Sequence, residues 1–442
     1  HLRTRPFVRD AAPERRLRIG YVSPDFREHA VNYFFEPLLR LHDRSRFEVF
    51  GYYNALYEDG VTKRLRQSFD HWRNITSLSD DKAADMIEAD KIDILIDLAG
   101  HTGYNRLLTF ARKPAPVQVT WLGYPATTGV KAIDYRISDP YTEPPGMTEH
   151  LNVETLWRLP EFFCCYQADA KNPAVIDHPP SGDNGYITFG CFNNFAKVTD
   201  PVLAAWARIM ERVPDSRLLL EIVGLEAQQF RAAVEERLQR LGLPLERVIL
   251  EARRKSNQFV LYNKIDIALD PFPCVGGTTS MDTVWMGVPF VTLAGRHFLS
   301  RVGVTVLSNA GMPELITNTV DDYVDLAVRL ATDRDWLRRL RHNMRDRVVN
   351  SPLMNQEVFA RAMEDAYRGM WCKWCASYVP PVIAPEPPPE KTDPVLAIKT
   401  LLDAAMPHHR AGQLLLAERL YKQVLEIDPD HADTLHLLGV LS

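Results

Sequence analysis

LRIGYVSPDFREHAVNYFFEPLLRLH, residues 17–42, sets the pattern from which the rest of the chain is read. It opens on a short apolar run, LRIGYV (17–22), crosses a polar loop and closes on VNYFFEPLLRLH (31–42), a helical stretch. A strand apolar on both faces and followed by a helix is the unit of a parallel sheet covered on both sides. FEVFGYY (47–53), IDILIDLAG (92–100), VQVTWLG (117–123) and DYRISD (134–139) read as further strands, and DKAADMIEAD (81–90) as a connecting helix.

Between Gln167 and Asn184 the chain turns polar and proline-rich (QADAKNPAVIDHPPSGDN), which reads as an interdomain link. The pattern then restarts. YITFGCF, RLLLEIVG, RVILEA, IDIALD and PFVTLAG are strands, separated by helices near 201–212, 226–241, 256–264 and 279–287. The expected architecture is α/β: two Rossmann-like doubly wound domains, residues 1–166 and 185–378, with a cleft between them. Ligands in such sheets bind beyond the carboxyl ends of the strands, which puts the site in that cleft. Residues 321–349 and 353–374 read as surface helices closing the second domain, and VPPVIAPEPPPEKTDP (379–394) as a stiff, extended linker.

Residues 395–442 differ again. Ala417, Tyr421, Val424 and Pro429 fall at the spacings of the second helix of a tetratricopeptide repeat. Leu435, Leu438 and Gly439 start the next repeat in the same 34-residue register. Such repeats bury their faces by stacking on neighbours, so this stretch reads as an α-helical repeat fragment. The abrupt start at His1 and the stop at Ser442 inside a repeat predict a chain whose order or completeness is unusual.

Composition bounds the function. The chain has 442 residues, 46% hydrophobic and 25% charged, with a formal net charge of -5. That is the make-up of a globular protein with large cores, without the basic face of a nucleic-acid binder. A phosphate would have to be gripped by a local site. No apolar run approaches the roughly 18 residues of a membrane span, and HLRTRPFVRD (1–10) lacks the apolar stretch of a secretion signal. Six scattered cysteines do not form a disulfide framework; Cys372 and Cys375 read as ordinary thiols, and the setting as reducing and cytoplasmic.

Four loops could carry chemistry. In CFNNFAKVTDPVLAAWARIM (191–210) a strand ends, a loop offers Lys197, and a helix begins with Pro201 at its first turn. A lysine there can reach a phosphate in the cleft. In DPFPCVGGTTSMDTVWMG (270–287), Gly276 and Gly277 let the backbone approach a ligand, while Thr278 and Thr279 offer hydroxyls and amides at a helix start that favours an anion. Asp282, one turn in, could hold a sugar hydroxyl or merely stabilise the helix start. In YVSPDFREHAVNYF (21–34), Asp25 and His29 stand four apart after the first strand. His29 suits a general base toward a hydroxyl, or is a surface residue behind a capping Asp25. LAGHTGYNR (98–106) and WLGYPATTG (121–129) place His101, Leu122, Tyr124 and Pro125 where an acceptor would be held. The D-x-D pairs Asp333/Asp335 and Asp428/Asp430 lie away from any strand end, so no metal site is expected.

Together these segments resemble the catalytic region of O-GlcNAc transferases. LRIGYVSPDF, FEVFGYY, KPAPVQVTWLGYPATTG, CFNNFAKVTDP, GGTTSMD and SPLMNQEVF carry the resemblance, which spans residues 17 to about 374. It implies a GT-B fold and inverting, metal-independent transfer of N-acetylglucosamine from UDP-GlcNAc to Ser or Thr hydroxyls of proteins, with UDP as product and no cofactor. It places Lys197 on the family's diphosphate lysine, Asn194 near the UDP, Thr278, Thr279 and Asp282 on phosphate and ribose contacts, and Lys255 on a uridine contact. Asp25 and His29 then flank the acceptor on the proton route. Gly277, Gln258 and Ala196 depart from the histidine, histidine and tyrosine of the animal enzymes, and the repeats follow rather than precede the catalytic part. Two other readings stay open: a UDP-sugar enzyme of the same fold acting on a small molecule, and a UDP-sugar-binding scaffold with weak transfer.

Overall fold

Each run of the strand–helix pattern becomes its own parallel sheet in the computed structural model, which describes residues 7–168, 173–254, 259–378 and 394–441. The first sheet holds β1 (Leu17–Ser23), β2 (Phe47–Tyr53), β3 (His71–Asn74), β4 (Ile94–Asp97), β5 (Val117–Thr120), β6 (Tyr135–Ser138) and β7 (Thr155–Arg158). Its order is β3-β2-β1-β4-β5-β6-β7, every pairing parallel. The second holds β8 (Thr188–Cys191), β9 (Arg217–Ile222), β10 (Val248–Ala252), β11 (Ile267–Leu269), β12 (Phe290–Leu293) and β13 (Ile316–Thr317), in the order β10-β9-β8-β11-β12-β13 and again parallel. This is the expected pair of Rossmann-like domains.

The order decides where ligands go. In each sheet the chain runs outward in one direction and then returns to extend the other edge. The reversal falls between β1 and β4 in one lobe and between β8 and β11 in the other. Loops leaving those four strands open a crevice at the topological switch point. They are the loops that carry Asp25 and His29, His101, Lys197 and the Gly276–Gly277 turn.

Three expectations need correcting. β3, β7 and β13 were not foreseen: HWRN and TLWR are short and only partly buried, and β13 has two residues, so none shows an apolar run. The helix expected at 256–264 is a 3-10 turn over Val260–Lys264 among the described residues. Finally, the helices Val320–Thr332 and Arg334–Val349 do cover the second lobe, where Arg341 Nη1 donates to Ile265 O at 2.9 Å. The helix Gln356–Ser377 crosses to the first lobe instead. There Tyr367 Oη lies 3.1 Å from Tyr21 Oη, Glu364 accepts from the Asp43 amide at 2.7 Å, and Phe359 packs on Trp121. Periodicity shows that a helix has an apolar face, not which lobe that face covers.

The lobes are also joined polar group to polar group. Thr305 Oγ1 donates to the buried Asp139 at 2.9 Å, and Tyr166 Oη donates to the buried Asp282 at 2.6 Å. Among the described residues, 12–376 fall in one compact unit and 7–11, 377–378 and 394–441 in another. The second unit contains the helices Pro394–Arg410, Leu414–Ile427 and Ala432–Leu441. Ala417, Tyr421 and Val424 point inward, packed with Leu401, Ala405 and Leu420, while Leu435 is half exposed. The proline-rich linker lies outside the described residues apart from Pro394. None of the described helices is long and apolar enough to cross a membrane.

Candidate functional site

The second lobe builds its half of the site around Asp270, at the carboxyl end of β11. This buried carboxylate accepts the Gly276 amide at 2.7 Å and Thr292 Oγ1, from the neighbouring β12, at 2.8 Å. Burial pushes it up to about 6, against those bonds and the nearby Lys197 charge. The turn is thereby folded back so that Gly276 lies over Ser280 and Asn193. A Cβ at Gly276 would come within 2.2 Å of Ser280 Oγ, whereas one at Gly277 would meet nothing within 4 Å. Gly277 thus leaves open space beside the turn.

Helix Thr278–Trp285 starts at this turn with no side chain capping its first residues. Its leading amides and dipole are therefore presented to a ligand. Lys197 reaches the same place from the loop after β8, its ammonium donating to Val275 O at 2.8 Å. One of three N–H donors is used by that bond, which fixes the charge beside the turn.

The first lobe repeats the device. Asp97, at the carboxyl end of β4, accepts the Gly100 amide at 2.9 Å and Thr120 Oγ1 of the adjacent β5 at 2.8 Å. The loops after β4 and β5 are locked together beyond this. Gly100 and Leu122 have φ of +54° and +75°. A Cβ on Gly100 would fall 2.4 Å from Tyr124 Cβ, and one on Gly123 would fall 2.1 Å from Leu98 O. A leucine in the left-handed region is held only where its surroundings over-determine it. The result is a rigid presentation of Leu122, Tyr124 and Pro125, with His101 edge-on to Tyr124 at 5.2 Å.

The loop after β1 holds the candidate acid–base pair, Asp25 and His29. Asp25 is buried and takes Arg27 Nη2 at 3.2 Å, so its charge is already engaged. His29 lies with Nδ1 3.7 Å from Asp25 Oδ2 and 3.3 Å from the Val31 amide, its side chain 38% exposed. Desolvation lowers the imidazole below its ordinary 6.5, with Asp25 opposing and Arg27 adding to the shift. It is neutral, and able to accept a proton, near pH 7. Because Nδ1 accepts the Val31 amide, the neutral ring carries its own proton on Nε2 and its lone pair on Nδ1, the side that faces Asp25.

A cavity of about 160 Å³ brings the lobes together. Lys197, Gly276, Gly277 and Thr278 line it from one side, and Phe34, Leu122 and Pro125 from the other. Asp25, His29, His101, Tyr124, Asn194, Thr279 and Asp282 are not part of its wall. Asn194 is exposed and caps its own turn, accepting the Ala196 amide at 3.1 Å. Thr279 is half-buried one residue into the helix. Asp282 is held by Tyr166 and pushed up to about 7, chiefly by burial. Lys255 and Gln258 lie outside the described residues. Asp333 caps a helix through the Trp336 amide at 2.9 Å, and Asp335 pairs with Arg338 at 2.7 Å. No group of three or more His, Cys, Asp or Glu among the described residues could hold a metal ion.

Sequence reasoning missed Asp97, Asp270 and Tyr166, which shape the site without lining its cavity. The signal for the first two was present: an aspartate closes the apolar runs ILID and IDIALD, just where a strand of a doubly wound sheet meets its ligand loop. Tyr166 had none, because its partner is 116 residues away. The loop lock makes a stability prediction. Gly123→Ala drives a methyl into a backbone carbonyl and is expected to cost about 1–3 kcal/mol, as overpacking does, read in a denaturant melt. Gly277→Ala is expected to leave the midpoint unchanged. Equal midpoints for all three proteins would show that the loops are not locked as described.

Comparison with known proteins follows the same lines. A family model described as glycosyl transferase family 41 matches residues 2–170 and 181–363. The SPINDLY protein of Arabidopsis thaliana, named a probable UDP-N-acetylglucosamine–peptide N-acetylglucosaminyltransferase, is 42% identical over 374 residues, which cover 83% of this chain and 41% of that protein. The chain thus spans about two fifths of such plant relatives. Among solved structures, a mutant O-GlcNAc transferase of Thermobaculum terrenum aligns with a TM-score of 0.80 and 39% identity over 84% of this chain and 71% of its own. A sucrose-phosphate synthase of Thermosynechococcus elongatus, 15% identical, covers 81% of this chain and all of its own at a TM-score of 0.53, a likeness of fold alone.

Proposed function

The chain belongs to glycosyl transferase family 41, and from that premise we propose that it transfers N-acetylglucosamine from UDP-GlcNAc to serine and threonine hydroxyls of proteins, inverting the anomeric carbon and using no metal ion or other cofactor. One observation carries the reading. One interlobe cavity is walled by a lysine and an uncapped helix start on one side and by the rigid Leu122–Pro125 loop on the other. The first pair suits a diphosphate, the second an acceptor.

The chemistry follows from the charges. The acceptor oxygen bonds to the anomeric carbon on the face opposite the diphosphate, the bond from that carbon to the phosphate oxygen breaks, and UDP leaves. Negative charge gathers on the leaving diphosphate. Lys197 and the amides at Thr278 and Thr279 stabilise it, the task a divalent cation has in other transferases. The hydroxyl proton passes to His29, whose protonated form the nearby Asp25 carboxylate stabilises. Asn194 and Lys255 serve the uridine end, and Asp282 the ribose. Acceptor proteins are presented by the helices of residues 394–441, read as part of a tetratricopeptide array. The setting is cytoplasmic, consistent with six free cysteines.

The test is the product. Proton NMR of the sugar on a serine peptide, after reaction with UDP-GlcNAc in excess EDTA, is expected to show a β-linkage from the α-linked donor. An α-linked product would refute inversion, and loss of activity in EDTA would refute metal independence.

A further inference from the structure

Beside the cavity that holds Lys197 lies a larger one of about 370 Å³. Tyr124, Pro125 and Leu151 wall it from the first lobe, and His297, Phe298 and Leu299 from the second. The two cavities share Pro125, Phe298 and Leu299, so they are compartments of one cleft. From this continuity we propose that the second compartment is an acceptor subsite. It receives the side chain of a residue flanking the reacting serine or threonine of a polypeptide, and it selects an apolar or aromatic one. The inference rests on the transferase reading above and adds what that reading leaves open, the sequence context of the acceptor.

Three features argue for this occupant. First, a polypeptide whose hydroxyl reaches the smaller compartment must lay its neighbouring residues across the shared wall. An extended chain advances about 3.4 Å per residue with side chains on alternate faces, so the side chain concerned lies within two positions of the acceptor.

Second, the wall offers apolar surface that is still exposed: Tyr124 is 41% and Leu151 50% accessible. Tyr124 is already fixed by Gly100, Gly123 and His101, so it makes contact at little cost in conformational freedom.

Third, the charges at the floor are closed among themselves. Arg136 pairs with Glu143, its Nε donates to Asn152 Oδ1 at 3.0 Å, and its guanidinium lies 4.9 Å from the centre of the Phe298 ring. Glu143 also accepts Thr148 Oγ1 at 2.9 Å. An entering charge would lose its water and find Arg136 and Glu143 already paired.

The experiment measures binding of single-serine peptides to the UDP-saturated full chain, by fluorescence anisotropy. Residues at the two positions on either side of the serine are changed in turn from Ala to Leu, Tyr or Asp. At one position Leu and Tyr are expected to bind about tenfold tighter than Ala, the scale of burying one such side chain, and Asp no tighter than Ala. Leu151→Asp is expected to bring the Leu-to-Ala ratio to about one while UDP-GlcNAc affinity stays within about twofold. Four results would overturn the proposal: uniform affinity across the peptides, no binding at all, a preference that survives Leu151→Asp, or a fall in UDP-GlcNAc affinity in that variant with the peptide preference intact. The last would give the compartment to the donor. Sugar transfer is scored separately: an apolar preference without transfer would leave the subsite standing and count against the transferase reading.

Discussion

Replacing Lys197 with alanine is expected to lower turnover about 10²–10³-fold, the range found when one preorganised charge-stabilising donor is removed from an active site. The size follows from where the ammonium sits. It is half-buried at the wall of the interlobe cavity, anchored to Val275 O, and beside the turn whose Gly276 amide is tied to Asp270. That scaffold does not need the lysine: Asp270 keeps its bonds to Gly276 and Thr292 when the side chain is cut back. The loss should therefore appear in kcat more than in the melting midpoint, because charge on the diphosphate grows toward the transition state. Steady-state rates of UDP release for the two proteins check this. A variant within about threefold of the native rate would remove Lys197 from the catalytic assignment.

His29→Ala is expected to reduce kcat/KM by about 10²–10⁴, the usual contribution of a positioned general base. The pH profile separates this from simple structural damage. Because burial lowers the His29 pKa, the imidazole keeps its proton-accepting form to more acid pH than an exposed histidine does. The native acid limb should thus fall below 6.5, and it should vanish in His29→Ala rather than merely shift. Asp25 is a weaker candidate for the base. Its carboxylate is engaged by Arg27, so Asp25→Asn is expected to act by weakening the stabilisation of protonated His29, with a smaller loss. An acid limb unchanged in His29→Ala would move the proton route elsewhere.

The sequence discloses the fold because its signal is periodic and local. LRIGYV and IDILIDLAG, apolar apart from Arg18, Asp93 and Asp97, read as strands buried on both faces, and their alternation with helices leaves little choice beyond two doubly wound sheets. Helix starts were legible where chemistry marks them, as at Pro201 and after Gly277. Edge strands such as HWRN were not, since pairing on one side leaves polar residues in place.

The site divides in the same way. Lys197, Gly276 and Gly277 are visible as residue types that suit a phosphate. The matching aspartates Asp97 and Asp270 are visible only once each is seen gripping a glycine amide and a threonine of the next strand. What no local pattern contains is tertiary: the bond from Tyr166 to Asp282, and the passage of helix Gln356–Ser377 to the first lobe.

The most direct test of the central claim is mass spectrometry of a protein mixture incubated with the full chain and UDP-GlcNAc, with released UDP quantified and Lys197→Ala run in parallel. The account predicts N-acetylhexosamine on serine or threonine, UDP released in equal amount, and loss of both in the variant. UDP release without modified protein, or modification undiminished in Lys197→Ala, would contradict it.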